Sequence, residues 1–195
     1  MFRRRRFPRL KSIFFWPPDM DLKGSKTEAN LMTAFSGECM ARVKYEIYAG
    51  IVRGEGYEGY GREIETISSN EREHAEVWFR ALSAMDITAL QALEDAEEGE
   101  LYECDEMYPH FAAVAREEGV TEIAELFEGG ARIERRHAGI YRRMADNVRD
   151  VAVFSSDRPA AWVCLSCGNV AEGLQPPEIC PVCGHDKSYR EKERG

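Results

Sequence analysis

Residues Asn70 to Glu76 read NEREHAE, which sets Glu71 and His74 three positions apart, and ARIERRHAG repeats the spacing with Glu134 and His137. Residues three apart share one face of an α-helix, so each pair aims a carboxylate and an imidazole in the same direction. GELYECDE holds Glu100 and Glu103 at that spacing, and FSGECMAR places Glu38 on an otherwise apolar or small face. A single pair means little in a chain this rich in glutamate, because helix surfaces carry many. Two pairs, with acids ordered between and before them, constrain the fold far more. Five inward carboxylates would each cost several kcal/mol to desolvate, or would stay protonated. Two divalent or trivalent cations remove that objection, and oxygen donors with two imidazoles suit iron or manganese.

Helical periodicity supplies the frame for these donors. Thr27 is the expected N-cap of a first helix through LMTAFSGECMARVKYEIYAGIV. A second is predicted over about 61–85. Thr88 is the expected cap of a third, from Ala89 to about Glu118, with Pro109 kinking it because proline lacks an N–H and crowds the preceding turn. Gly119 should end that helix, and Thr121 should cap a fourth reaching about Val148. Gly129 and Gly130 inside the fourth helix either weaken it or permit close packing. Four helices with apolar stripes predict an all-α four-helix bundle over 20–148.

Periodicity stops at about Arg149, and 149–161, containing SSDRPA, reads as a linker. Residues 162–195 contain too little apolar material to fold without a staple. Cys164 and Cys167, then Cys180 and Cys183, form two C-x-x-C pairs, a spacing that wraps one tetrahedral metal in four thiolates. Gly168 and Gly184 follow the pairs, where a tight knuckle wants positive φ. The spacing fits one iron or one zinc. His185 is not expected to bind the metal, since four sulfurs close the site. Cys39 and Cys104 neighbour Glu38 and Glu103 and read as buried, inert thiols.

Charge narrows the partners. The net charge is −9, yet residues 1–19 carry six bases and one acid, which leaves 20 bases against 34 acids in the rest. Such a body repels nucleic acid and anionic membrane, so neither is an expected partner. No apolar run approaches the roughly 18 residues of a membrane span. Arg3 to Arg6 before Phe7 faintly resemble a twin-arginine signal, but the apolar patch Ile13 to Trp16 is too short for one. Residues 1–19 are therefore expected to be a disordered basic extension or an upstream mis-start.

From about Leu22 to Glu191 the sequence resembles the rubrerythrins. The resemblance lies in LKGSKTEANLMTAFSGE, NEREHA, GELYECDEMYP, IERRH and the terminal cysteine pairs, in that order. It implies a ferritin-like four-helix bundle with a C-terminal rubredoxin-like module over 162–195. It implies a di-iron site held by Glu38, Glu71, His74, Glu100, Glu134 and His137, with Glu71 and Glu134 bridging. Glu103 matches a seventh ligand particular to these proteins, to which the first iron moves when oxidised and from which it returns to the position of His74 when reduced. Tyr45 and Tyr108 match residues that orient carboxylates by hydrogen bonding. Trp162 and the rubredoxin-like match favour iron over zinc in the four-cysteine site. Asn169 and Ala171 stand where the family more often has tyrosine and histidine, a departure that bears on reduction potential.

The implied activity is a non-haem peroxidase of the cytoplasm that reduces hydrogen peroxide to water. Electrons would pass from the cysteine-bound iron to the di-iron site, and ultimately from NAD(P)H through a separate reductase or rubredoxin. The family also implies a homodimer. No Gly-x-Gly-x-x-Gly follows a strand, so NADH itself is not expected to bind. A ferroxidase or iron-handling protein is the rival enzyme, and a zinc-ribbon interaction protein is the rival outside enzymes.

Overall fold

The computed structural model describes residues 22–82 and 87–193; the N-terminal extension 1–19 lies outside them. The chain divides into two compact units, 1–87 and 88–195.

The first unit is a hairpin of α1 (Lys26–Gly54) and α2 (Glu58–Leu82). Ser25, not Thr27, caps α1: its side chain accepts from the Glu28 N–H, while the Glu28 carboxylate accepts from the Gly24 N–H at 2.6 Å. Thr27 has a residue on either side already helical, so its hydroxyl has no orphan N–H to serve. The helices meet closely at buried Ala49 and Gly61, where an added Cβ would lie 3.2 Å from the Ala49 carbonyl oxygen. Buried Ser68 locks the pair further by donating to the Arg42 carbonyl at 2.9 Å.

The second unit begins with α3 (Ala89–Tyr102), capped by Thr88 in a reciprocal box with Gln91. The predicted third helix does not run straight to Glu118. A π-helical segment, Glu103–Met107, interrupts it before α4 (Tyr108–Glu117). Proline removes one helical donor and its ring crowds the carbonyl four residues back, here that of Asp105. The wider π turn just before Pro109 accommodates that conflict, so the disturbance expected at the proline takes the form of a π segment. Gly119 ends α4 with φ 78°, as a left-handed C-terminal glycine should.

α5 (Thr121–Arg149) has Val120 at its N-cap position and no side-chain cap, so Thr121 is already inside the helix. Ion pairs Glu97–Arg142 at 2.6 Å and Glu94–Arg149 at 2.9 Å link α3 to α5, with Asp105–Arg135 between the π segment and α5. Ala112, Ala115 and Ala124 form a small buried cluster against Phe127.

The C-terminal module is a three-stranded antiparallel sheet of β1 (Ala160–Cys164), β2 (Val170–Gly173) and β3 (Arg190–Lys192), in the order β2-β1-β3. Its buried side chains are few, chiefly Trp162, Cys164, Cys180 and Arg190. Among the described residues no helix is long and apolar enough to cross a membrane.

Candidate metal centres

The two Glu-x-x-His pairs make closely similar clusters, one in each unit. On α1 and α2, donor atoms of Glu38, Glu71 and His74 lie within 4.8 Å of one another. On α3 and α5, those of Glu100, Glu134 and His137 do the same. His74 Nδ1 stands 2.8 Å from Glu71 Oε2 and 3.8 Å from Glu38 Oε1. His137 Nδ1 stands 2.7 Å from Glu134 Oε2 and 3.5 Å from Glu100 Oε2. Each cluster therefore offers one ion two hard oxygens and one nitrogen, with bonds of about 2.0–2.2 Å in reach after small rotamer adjustments.

Electrostatics favours a cation in the second cluster. Burial raises the pKa of Glu100, and a side-chain hydrogen bond and charge repulsion from Glu134 raise it further, with Glu103 adding a smaller push. Carboxylates this close hold a proton between them or share a metal. The same field reaches Tyr108, whose hydroxyl is pushed up by burial first and then by Glu103, Glu134 and Glu100. Tyr108 is thus within electrostatic range of three acids of the second unit. Its ring packs on Phe127 at 6.0 Å and over Gly130, where an added Cβ would be 3.2 Å from Cζ. The close packing envisaged for the glycine pair is realised at Gly130.

Glu103 is the first residue of the π segment, one helical turn beyond Glu100, and its charge acts on both Glu100 and Tyr108. Tyr45 lies on α1 with its ring 6.5 Å from that of Tyr48. Of the two extra thiols, Cys104 is buried, its pKa raised by that burial, and points at the Leu101 carbonyl. Cys39, expected to be buried, is exposed.

The four remaining cysteines converge. Cys164 Sγ is 3.7 Å from Cys183 Sγ, and Cys167 Sγ is 3.7 Å from Cys180 Sγ. A disulfide needs about 2.05 Å. A tetrahedral ion with metal–sulfur bonds of about 2.3 Å separates its sulfurs by about 3.8 Å, so the spacing fits one metal. The knuckles are built for thiolates. Backbone N–H groups of Cys183 and Val182 carry the Cys180 pKa down to about 6 against burial. Burial pushes Cys164 up, but the N–H groups of Cys167 and Ser166 outweigh it and leave the thiol lowered. Cys167 gains from the Asn169 N–H yet, with Cys183, Cys180 and Cys164 pressed around it, is driven up to about 12. Gly168 and Gly184 take φ 75° and 74°, completing each knuckle. His185 Nδ1 lies 3.3 Å from Cys183 Sγ, as a hydrogen-bond partner of sulfur.

Sequence reasoning missed a residue beside this site. Arg190 is buried beneath Asn169, and no periodicity marks it beforehand. Its nearest signal was Asn169 itself, a polar residue two positions after Cys167.

Known proteins share this plan. Residues 29–145 match the family profile described as "Rubrerythrin", and residues 162–190 match "Rubrerythrin, rubredoxin-like domain". Rubrerythrin of Nitratidesulfovibrio vulgaris is 37% identical over 182 residues, spanning 87% of this chain and 95% of that one. Rubrerythrin of Porphyromonas gingivalis is 36% identical over 182 residues, spanning 87% and 91%. A putative rubrerythrin of Methanocaldococcus jannaschii is 34% identical over 187 residues, spanning 85% and 92%.

Proposed function

Because the chain belongs to the rubrerythrin family, we propose that it is a cytoplasmic non-haem peroxidase that reduces hydrogen peroxide to two waters with two electrons and two protons. Its fold is a ferritin-like helical bundle with a rubredoxin-like module, and its cofactors are iron in the bundle and iron at the four-cysteine site. The finer assignment, peroxide rather than dioxygen or free ferrous ion, is supported chiefly by one observation. Glu103 stands at the head of a π segment, beside a carboxylate cluster that already has its own histidine.

When bound, a pair of irons supplies the two electrons that cleavage of the O–O bond requires, whereas one tetrathiolate iron supplies one at a time. The protein's part is to hold and orient. Glu38, Glu71 and His74 would grip from α1 and α2, and Glu100, Glu134 and His137 from α3 and α5. Glu103 would add an anionic oxygen for the more highly charged oxidised state. Tyr108, whose hydroxyl resists ionisation, keeps its proton and can donate it to one of the nearby carboxylates. The N–H groups around Cys164 and Cys180 stabilise thiolates, so the module can hold its metal in either charge state.

We also assign the protein a homodimer and a separate rubredoxin or NAD(P)H-dependent reductase as electron donor. The dimer is favoured by Met40, Val43, Ile47 and Ile51, exposed on the side of α1 turned away from Glu38 by the helical repeat of about 100° per residue.

Anaerobic stopped-flow tests the activity. The fully reduced protein is mixed with peroxide or with dioxygen, and reoxidation is followed by absorbance. Peroxide should be the faster oxidant; faster reoxidation by dioxygen would defeat the assignment in favour of iron oxidation.

A further inference from the structure

Arg190 opens β3 and is only 4% exposed, a costly place for a guanidinium without strong partners. Its Nη1 donates to the Trp162 carbonyl at 3.1 Å and to the Asn169 carbonyl at 2.8 Å, and its Nη2 donates to Asn169 Oδ1 at 3.2 Å. Among the described residues its buried Nε has no hydrogen-bond partner. All three acceptors are neutral oxygens, so these bonds satisfy the geometry of the fork, and among the described residues no carboxylate pairs with its charge.

The anion stands one residue away in each direction. The Asn169 carbonyl that receives Arg190 also receives the N–H of Cys164 at 2.9 Å. The Asn169 Oδ1 that receives Arg190 also lies 3.9 Å from Cys180 Sγ. Asn169 therefore sits between the guanidinium and two of the four sulfur-bearing residues. Four thiolates around a ferric ion carry a net charge of −1, and around a ferrous ion −2. A fixed buried cation attracts the more negative state more strongly, and low local dielectric magnifies the difference.

We infer that Arg190, held in place by Asn169, is a positioning residue that raises the reduction potential of the tetrathiolate iron. The arrangement also explains why an amide oxygen faces Cys180. Against a thiolate that oxygen is repelled unless the guanidinium grips it, and Arg190 does so. The inference rests on iron at the four-cysteine site and is independent of peroxide turnover.

The test is a redox titration of the full-length, iron-loaded protein, following the ferric tetrathiolate absorbance without peroxide, with iron content measured alongside. Arg190→Lys, which keeps the charge, should hold the midpoint near that of the wild type. Arg190→Met should be made on an Asn169→Ala background, so that a released carboxamide cannot turn an N–H onto Cys180 and mask the loss. Its midpoint should fall below that of Asn169→Ala alone. Arg190→Gln on the same background, which keeps a polar side chain but removes the charge, should also lower the midpoint, and it serves if the methionine variant fails to retain iron. Midpoints unmoved by both charge-removing changes, or lowered equally by the lysine variant, would overturn the inference and leave Arg190 a purely structural residue.

Discussion

The ring of Tyr108 lies across the bare Cα of Gly130, with Cζ 3.2 Å and Cε2 3.3 Å from where a Cβ would stand. Gly130→Ala would gain up to about 1 kcal/mol of helix propensity, but the ring must move by a few tenths of an ångström to admit the methyl. The two effects oppose each other in stability, whereas only the second touches the acids near the hydroxyl. We expect a melting temperature within a few degrees of the wild type and a fall in peroxide turnover approaching that of Tyr108→Phe. Turnover equal to the wild type would mean that the ring yields without cost.

Glu103 should be separable from the other six proposed donors. Glu103→Ala leaves both Glu-Glu-His clusters whole, so iron content should match the wild type while most peroxide turnover is lost. Glu71→Ala or Glu134→Ala removes a carboxylate from a cluster and should lower iron content itself. Iron analysis and stopped-flow on the same samples distinguish the two results; unchanged turnover in Glu103→Ala would retire its role.

How far these residues could be read from the sequence depended on the kind of regularity that places them. Donor pairs three apart on a helix and thiols two residues apart in a knuckle are local geometry, and they converge as expected within each cluster. Helix starts were harder where two candidates stand close. Ser25 and Glu28 form the S-x-x-E signature, yet Thr27 competes in the same turn, and only the actual orphan N–H groups decide. The π segment at Glu103 is invisible to a 3.6-residue period because it departs from that period; Pro109 signals a disturbance but not how it is absorbed. Arg190 was illegible for another reason. Burial of a charge is decided by tertiary partners far along the chain, here Trp162 and Asn169.

The raised pKa of Glu100 predicts how the metal-free protein responds to pH. Burial and Glu134 raise its folded value above the ordinary 4.5, so between these values the folded chain binds more proton than the unfolded chain. Stability conferred by the proton is fully present below the unfolded pKa and is lost as pH rises through the folded one. Apoprotein melting temperatures should therefore fall as pH climbs from about 4.5 toward neutrality, and Glu100→Gln should flatten that slope. Iron-loaded protein should lack this component, because a cation replaces the proton. An apoprotein slope of opposite sign in this range would show that other groups dominate.

The exposed stripe on α1 makes a prediction about assembly. Ile47 and Ile51 are 57% and 55% exposed, next to Val43 and Met40 on the same side. Placing a charge within a buried apolar interface is strongly unfavourable. Ile47→Glu should shift a dimer to monomer by light scattering at micromolar concentration, with helical circular dichroism retained. A wild-type protein that is already monomeric would remove the assignment altogether.

The last prediction concerns what holds the C-terminal module together. Trp162 is fully buried and its indole N–H donates to the Gly173 carbonyl at 3.0 Å, but little other apolar material surrounds it. Three short strands with so small a core fall well below what hydrophobic burial alone stabilises, so metal binding must supply most of the folding free energy, on the order of 10 kcal/mol for a tetrahedral thiolate site. Cys180→Ser removes one of the two thiols whose pKa the backbone N–H groups of the knuckles lower. We expect that variant to lose the visible absorbance of the tetrathiolate iron and to exchange the amide hydrogens of residues 160–192 rapidly, while protection across α1 to α5 persists. If the strands stay protected without metal, the module has a source of stability other than its four sulfurs.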